Sequence, residues 1–268
     1  MKQFFLIFIL IFLAAFWPLN AMAIAIGTNI TIYDKNGTGA GWHGSDEDQE
    51  VEPGMATGQE WDLEGFFLEG TTLTMVGGFD FEFGNSDYTS GDIFIDIIGI
   101  GKNAVYGDIH GPQNGNGNYT VSNSFSYDYV LDLDFSTYTY DVYRIYDSSL
   151  VKTAFYHQNQ GSSPWRYVQG GDLIKHSSFK YVTKLPDEND KFEGGDHNAV
   201  VVSLDFLQIA PQGTDFISHF TMGCGNDNLM GQGKLLPNPE PATLFLMGCG
   251  LIGLAGLGRK NFQRAKIE

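Results

Sequence analysis

Val130-Leu131-Asp132-Leu133-Asp134-Phe135 and Phe79-Asp80-Phe81-Glu82-Phe83 set the reading of this chain. In the first, Leu131, Leu133 and Phe135 fall on one side and Asp132 and Asp134 on the other. In the second, three phenylalanines oppose Asp80 and Glu82. Successive side chains of a strand point to opposite faces. Apolar residues at a period of two, with acids between, therefore fit a half-buried antiparallel strand. Short runs rich in β-branched and aromatic residues at 28–34, 92–97, 137–146, 179–185, 200–207 and 216–222 read the same way. Gly, Asn, Asp and Ser clusters at 36–44, 111–118, 161–164, 194–198 and 223–228 read as turns between them. No helical period outlasts two turns, and no fixed-period repeat appears. The expectation is an all-β body: an antiparallel two-sheet sandwich, jelly-roll-like.

The ends are of another kind. Residues 1–23 combine Lys2, an apolar run from Phe4 to Trp17 and a small-x-small site at Ala21-Met22-Ala23. That is the pattern of a signal peptide cut after Ala23. At the far end Pro239-Glu240-Pro241 is followed by an uncharged run, 242–258, and then by Arg259, Lys260, Arg264 and Lys266. The run is at the short end of the roughly 17–25 residues that span a bilayer. Its glycines suit a membrane helix, and the basic end would stay cytoplasmic. The prolines stop the helix and leave an extended peptide just outside the membrane. The sequence thus divides into a signal peptide (1–23), an exported β domain (24–234), a linker (235–238) and a tail (239–268) with a single hydrophobic helix.

The triad, apolar run and basic end, in that order at the C-terminus, resemble the PEP-CTERM sorting signal. The resemblance implies a precursor held in the inner membrane, cut near the triad by exosortase, and then displayed at the cell surface or released. Pro239, Glu240, Pro241, Arg259 and Lys260 would carry the signal. Signal peptidase and exosortase are the implied partners during export, with the inner membrane as a transient one. PEP-CTERM systems often accompany exopolysaccharide production, so the resemblance also implies a matrix or biofilm setting. Trp61-Asp-Leu-Glu-Gly-Phe-Phe67, Ser90-Gly-Asp-Ile-Phe-Ile-Asp96, Tyr127-Asp-Tyr-Val-Leu-Asp-Leu-Asp-Phe135 and Cys224-Gly-Asn-Asp-Asn-Leu-Met-Gly231 are similar to segments of a recurring group of PEP-CTERM proteins. That likeness supplies a family label and no chemistry.

The whole chain has a formal net charge of −17. Five of its fifteen Lys+Arg and two of its thirty-two acids lie in the two ends, so the body carries ten against thirty, a net −20. That sign excludes nucleic acid as a partner and suits cation binding. Cys249 belongs to the tail and Cys224 to the body, so the body is expected to hold together without a disulfide, with Cys224 buried.

Ca2+ takes about six to eight hard oxygens. Two clusters are candidate Ca2+ sites on that ground: Asp46, Glu47, Asp48 and Glu50 between Gly-rich loops, and Asp92, Asp96 and Asp108 around Gly99 and Gly101. In the second cluster Ile97, Ile98 and Ile100 stand where an EF-hand would place alternate acids. Asp215 with Asn226, Asp227 and Asn228 reads as turn capping. No histidine sits at zinc spacing, and Asp196-His197 reads as a surface loop pair. No Gly-x-Ser-x-Gly elbow occurs. A glycosidase pair is defined by spatial separation, which the sequence does not supply. Trp165 and Tyr167, after a loop, are the candidate platform for stacking on sugar rings. The function expected is a non-catalytic structural or adhesive module. The alternatives are a Ca2+-dependent carbohydrate-binding module and a polysaccharide-active enzyme using two carboxylates.

Overall fold

The computed structural model describes residues 26–32, 55–101, 104, 117–156, 162–188, 192, 194–207 and 209–237. The described strands are β1 (Thr28–Asn29), β2 (Gly65–Glu69), β3 (Thr72–Gly77), β4 (Ile93–Ile97), β5 (Thr120–Ser122), β6 (Tyr129–Asp134), β7 (Thr139–Arg144), β8 (Leu150–Lys152), β9 (Arg166–Gln169), β10 (Asp172–Ser178), β11 (Lys180–Leu185), β12 (His197–Ser203), β13 (Thr214–Thr221) and β14 (Asn228–Leu235). They form a five-stranded sheet (β1-β2-β3-β12-β11), a six-stranded sheet (β10-β7-β6-β4-β13-β14) and a three-stranded sheet (β5-β8-β9), paired antiparallel throughout. The all-β expectation holds.

The two larger sheets make the sandwich. Phe66, Leu73, Met75, Val200 and Val202 of the first meet Ile93, Ile95, Leu131, Leu133, Val142, Phe216 and Phe220 of the second. Burying one such side chain contributes roughly 1.5–3 kcal/mol. Tyr140 crosses the interior, where its hydroxyl donates to Ser203 O at 3.1 Å and accepts from Ser203 N at 3.2 Å. Each edge is closed by a segment that changes sheets. On one side β10 passes into β11 through Phe179, whose ring packs on Phe135 at 5.0 Å. On the other, Ile30 N bonds Phe66 O in the first sheet, while Ile32 N bonds Met230 O in the second.

The third sheet was not expected from the sequence. It covers the outer face of the six-stranded sheet, where Phe94 and Val130 pack against Phe125, Tyr127, Ile145 and Val151. Every residue of β4 is therefore buried. The outer face of the five-stranded sheet has its own smaller cluster of Ile26, Phe67, Val76, Phe192 and Ala199.

Two further expectations are corrected. The alternating run 79–83 is a turn and not a strand. Phe79 and Phe81 enter the core but Phe83 is 77% exposed. Asp80 Oδ1 accepts the N–H groups of Glu82 and Phe83 at 3.0 and 3.1 Å, an Asx turn that outcompetes the sheet ladder. Leu235, placed in the linker by its sequence, is the last residue of β14 and is fully buried. Cys224 is buried, as expected.

Three backbones converge at Gly91. A methyl there would fall on the carbonyl oxygens of Thr221 and Trp165. Gly91→Ala should lower stability by about 3 kcal/mol through overpacking. Gly99→Ala, where φ is +90° and nothing lies within 4 Å, should cost only about 1 kcal/mol of backbone strain. Urea unfolding of the two variants measures the difference.

Candidate functional site

Of the expected Ca2+ cluster of Asp92, Asp96 and Asp108, the first two are described and serve different backbone groups. Asp108 lies outside the described residues, as do Asp46, Glu47, Asp48 and Glu50. Asp92 is buried and both of its oxygens serve the backbone. Oδ1 accepts Leu133 N–H at 3.0 Å and Oδ2 accepts Tyr167 N–H at 2.8 Å. It thus ties β6 to β9 and holds the small sheet on the large one. Burial, and behind it the charge of Asp132, push the Asp92 carboxyl well above the usual range. The two N–H groups and Arg166 pull the other way.

Asp96 is placed differently. It sits on the outer face of β4, fully buried, with Oδ2 accepting Ala104 N–H at 2.9 Å. The β4–β6 ladder ends at the pair Ile95–Tyr129, the residues next in sequence to Asp96 and Asp128. Asp128 Oδ2 accepts Ile97 N–H at 2.9 Å. The two carboxyls are near enough to act on each other's ionisation. Burial pushes Asp96 up to about 6 against the pull of the Ala104 N–H, and Asp128 adds to the rise. Burial also raises Asp128, while Ile97 N–H, Asp96 and Arg144 lower it. Asp96 Oδ1 is buried with no donor against it.

Asp128 opens into a cleft of about 580 Å³ lined by Gly101, Ser126, Tyr127, Ile145, Tyr146, Asp147 and Ser148. Ser126 has a φ of 69°, in the left-handed region that favours glycine. Tyr146, on the rim, donates to Asp172 Oδ2 at 2.6 Å, and Arg144 lies over its ring at 5.8 Å. Sequence reasoning singled out Asp96 but missed Asp128, because only strand register brings the two together. Among the described residues no group of three His, Cys, Asp or Glu side chains is arranged to hold a metal ion.

The expected sugar platform is corrected as well. Trp165 is buried, beneath the cations of Lys152 at 6.0 Å and Arg166 at 5.7 Å. It fills the interface between the small and large sheets. Tyr167 is half-buried, with one ring face stacked on Tyr143 at 4.7 Å. His197 is no surface partner of Asp196. It is fully buried at the start of β12, with Nε2 at 2.9 Å from the equally buried Glu64 Oε1. Gln59 Nε2 donates to that same oxygen at 2.9 Å. The sequence signal for this contact was Glu64 itself, an acid inside the apolar run 63–68. Asn226 and Asp227 do shape a turn, but they also reach far. Asn226 exchanges two hydrogen bonds with Ala56, and Asp227 Oδ2 accepts Leu63 N–H at 2.6 Å.

A protein-family model, the PEP-CTERM protein-sorting motif, matches residues 239–260. This chain carries a PEP-CTERM sorting signal. Pro239, Glu240, Pro241, Arg259 and Lys260 fall within the match, and the motif implies an exported precursor processed by exosortase. No curated protein and no solved structure matches the chain. The motif lies outside the described residues, as do Ala21 and Ala23. Among the described residues no helix is long and apolar enough to cross a membrane.

Asp96 and His219 bend stability with pH in opposite directions. Asp96 is raised from 3.8 to about 6, so its contribution is full below about pH 4 and is lost as pH rises through 6. His219, buried with Nε2 at 2.9 Å from Pro164 O, is lowered by burial from 6.5 to about 4. Its contribution is full above pH 6.5 and is lost as pH falls to 4. Relative to Asp96→Asn, the wild type should lose on the order of 2 kcal/mol between about pH 4 and 6.5. Relative to His219→Gln it should gain a similar amount over the same range. Urea midpoints across that range check both signs.

Proposed function

We propose that the chain is delivered to the cell surface or extracellular matrix and serves there as a non-catalytic structural or adhesive module within exopolysaccharide or biofilm. The observation that carries this reading is the sorting motif at 239–260. Two features of the body support it. Its net charge of −20 keeps an exported domain soluble in a polyanionic matrix. Its buried acids are spent on architecture: Asp92 and Asp227 hold backbone amides of distant segments.

The polysaccharide-active alternative has one observation in its favour, the paired carboxyls of Asp96 and Asp128 beside an open cleft. Glycosidase carboxyls stand about 5–5.5 Å apart in retaining enzymes and about 6.5–9.5 Å in inverting ones. Asp96 is fully buried and does not line the cleft, so a substrate there would meet only one carboxyl of the pair, which favours the non-catalytic reading.

Replacing Pro239-Glu240-Pro241 by three alanines in the native host should leave the protein uncut in the inner-membrane fraction. The wild-type body should appear in the surface or matrix fraction, and deleting the gene should weaken matrix cohesion. Equal fractionation of both forms, or breakdown of polysaccharide by the purified protein, would contradict the proposal.

A further inference from the structure

The end of β14 decides which part of the body faces the membrane in the precursor. Leu235 is fully buried, and Leu236 just beyond it is 65% exposed. Six Cα-to-Cα steps then lead to Ala242, where the apolar run of the sorting tail begins. Those steps span at most about 20 Å, and the headgroup layer takes up roughly 5–7 Å of that reach. A body of this size is about 40 Å across. The sorting motif implies a membrane-anchored precursor. Its body is therefore held with the Leu236 end at the bilayer, and the far end is out of reach.

Strand register shows what else lies at that end. Leu235 pairs with Thr214, Phe216 with Ile97, Ile95 with Tyr129, and Tyr129 with Arg144. The turns that follow β4 and β7 thus stand at the same end as the root of the tail. Ile98 N bonds Asp215 O at 3.0 Å, which ties the first turn to the start of β13. Gly101 and Tyr146 line one cleft, so the two turns are neighbours. Both put apolar side chains into water: Ile100 is 56% exposed and Tyr146 42%. A single exposed Ile or Leu needs no explanation. Here Ile100, Tyr146 and Leu236 share the one end that chain length keeps at a membrane, and tyrosine is a residue that concentrates at membrane–water interfaces. Charge narrows the kind of lipid. Asp147 shares the cleft, and Asp172 accepts from the Tyr146 hydroxyl at 2.6 Å. Two carboxylates beside the apolar side chains disfavour an anionic surface and deep insertion.

We infer that in the precursor this end of the sandwich rests on the outer surface of the inner membrane, with Ile100, Tyr146 and Leu236 among zwitterionic headgroups. Each contact is weak alone, but a short tether holds the end at an effective concentration on the order of millimolar. Cutting the tail removes the tether and frees the body. The inference concerns the precursor before release. It rests on the sorting motif and is independent of the matrix role proposed above.

The experiment places a fluorophore on single cysteines of the full-length protein in phosphatidylcholine vesicles that carry a headgroup spin label as quencher. Cys249→Ser is the background; Cys224 is buried. One label sits at Ser148→Cys, exposed in the turn after β7, and one at Ser136→Cys, exposed in the turn between β6 and β7 at the opposite end. The label at 148 should be quenched about threefold more than the label at 136. Adding Ile100→Ser and Leu236→Ser, both at exposed positions, should remove about half or more of the quenching at 148 without moving the melting temperature. Equal quenching at the two ends, or no quenching at 148, overturns the inference. Quenching at 148 that survives the double substitution assigns the proximity to the tether alone and overturns it too. Absent quenching in vesicles beside slower tail processing of the double variant in the host gives the apolar end to the processing enzyme in place of lipid.

Discussion

Buried aspartates that accept backbone N–H groups are the constraint on which the rest of the fold depends. Asp92 joins β6 to β9, Asp96 holds Ala104 and Asp227 holds Leu63, while the half-buried Asp128 holds Ile97 at the end of β4. Several of these contacts link segments far apart in sequence, 75 residues for Asp92–Tyr167 and 164 for Asp227–Leu63. A buried N–H left without an acceptor costs about 1–3 kcal/mol, so each carboxylate satisfies a group that the layered packing would otherwise strand. The body has Cys224 as its one cysteine. Side-chain acceptors thus take the place that covalent staples hold in many exported domains.

The same device shapes the electrostatics. Placing acids between layers raises their pKa by desolvation, as at Asp92, Asp96 and Asp128. Where both oxygens meet donors, as at Asp92, the acid is architectural. At Asp96 one oxygen meets the Ala104 amide and the other is buried with no donor against it.

The alternation of 130–135 was a sound guide to β6, since Leu131 and Leu133 do face the core and Asp134 is exposed. The same pattern misled at 79–83, where an Asx turn competes locally with the ladder in a way that period alone does not reveal. The third layer was hidden for a different reason. Short strands such as Leu150–Lys152 carry too few residues to show a period, and a strand buried on both faces, like β4, reads like any apolar run. The segments singled out by resemblance proved to be contact partners: 61–67 meets 224–231 through Leu63 and Asp227, and 90–96 meets 127–135 through Asp92 and Leu133. Asp96 was legible as an acid in a strand, whereas Asp128 as its partner was not, because register is set by the whole sheet. Trp165 was misplaced because an aromatic after a loop reads alike whether it faces solvent or another sheet.

The most direct measurement is the unfolding free energy of Asp92→Leu at neutral pH. Leucine removes the buried carboxylate and its desolvation cost at similar volume, but leaves the Leu133 and Tyr167 amides without an acceptor. If the aspartates hold the layers together, the variant loses about 2–4 kcal/mol. A neutral or stabilising effect, the result when a buried charge is a net liability, would contradict the account.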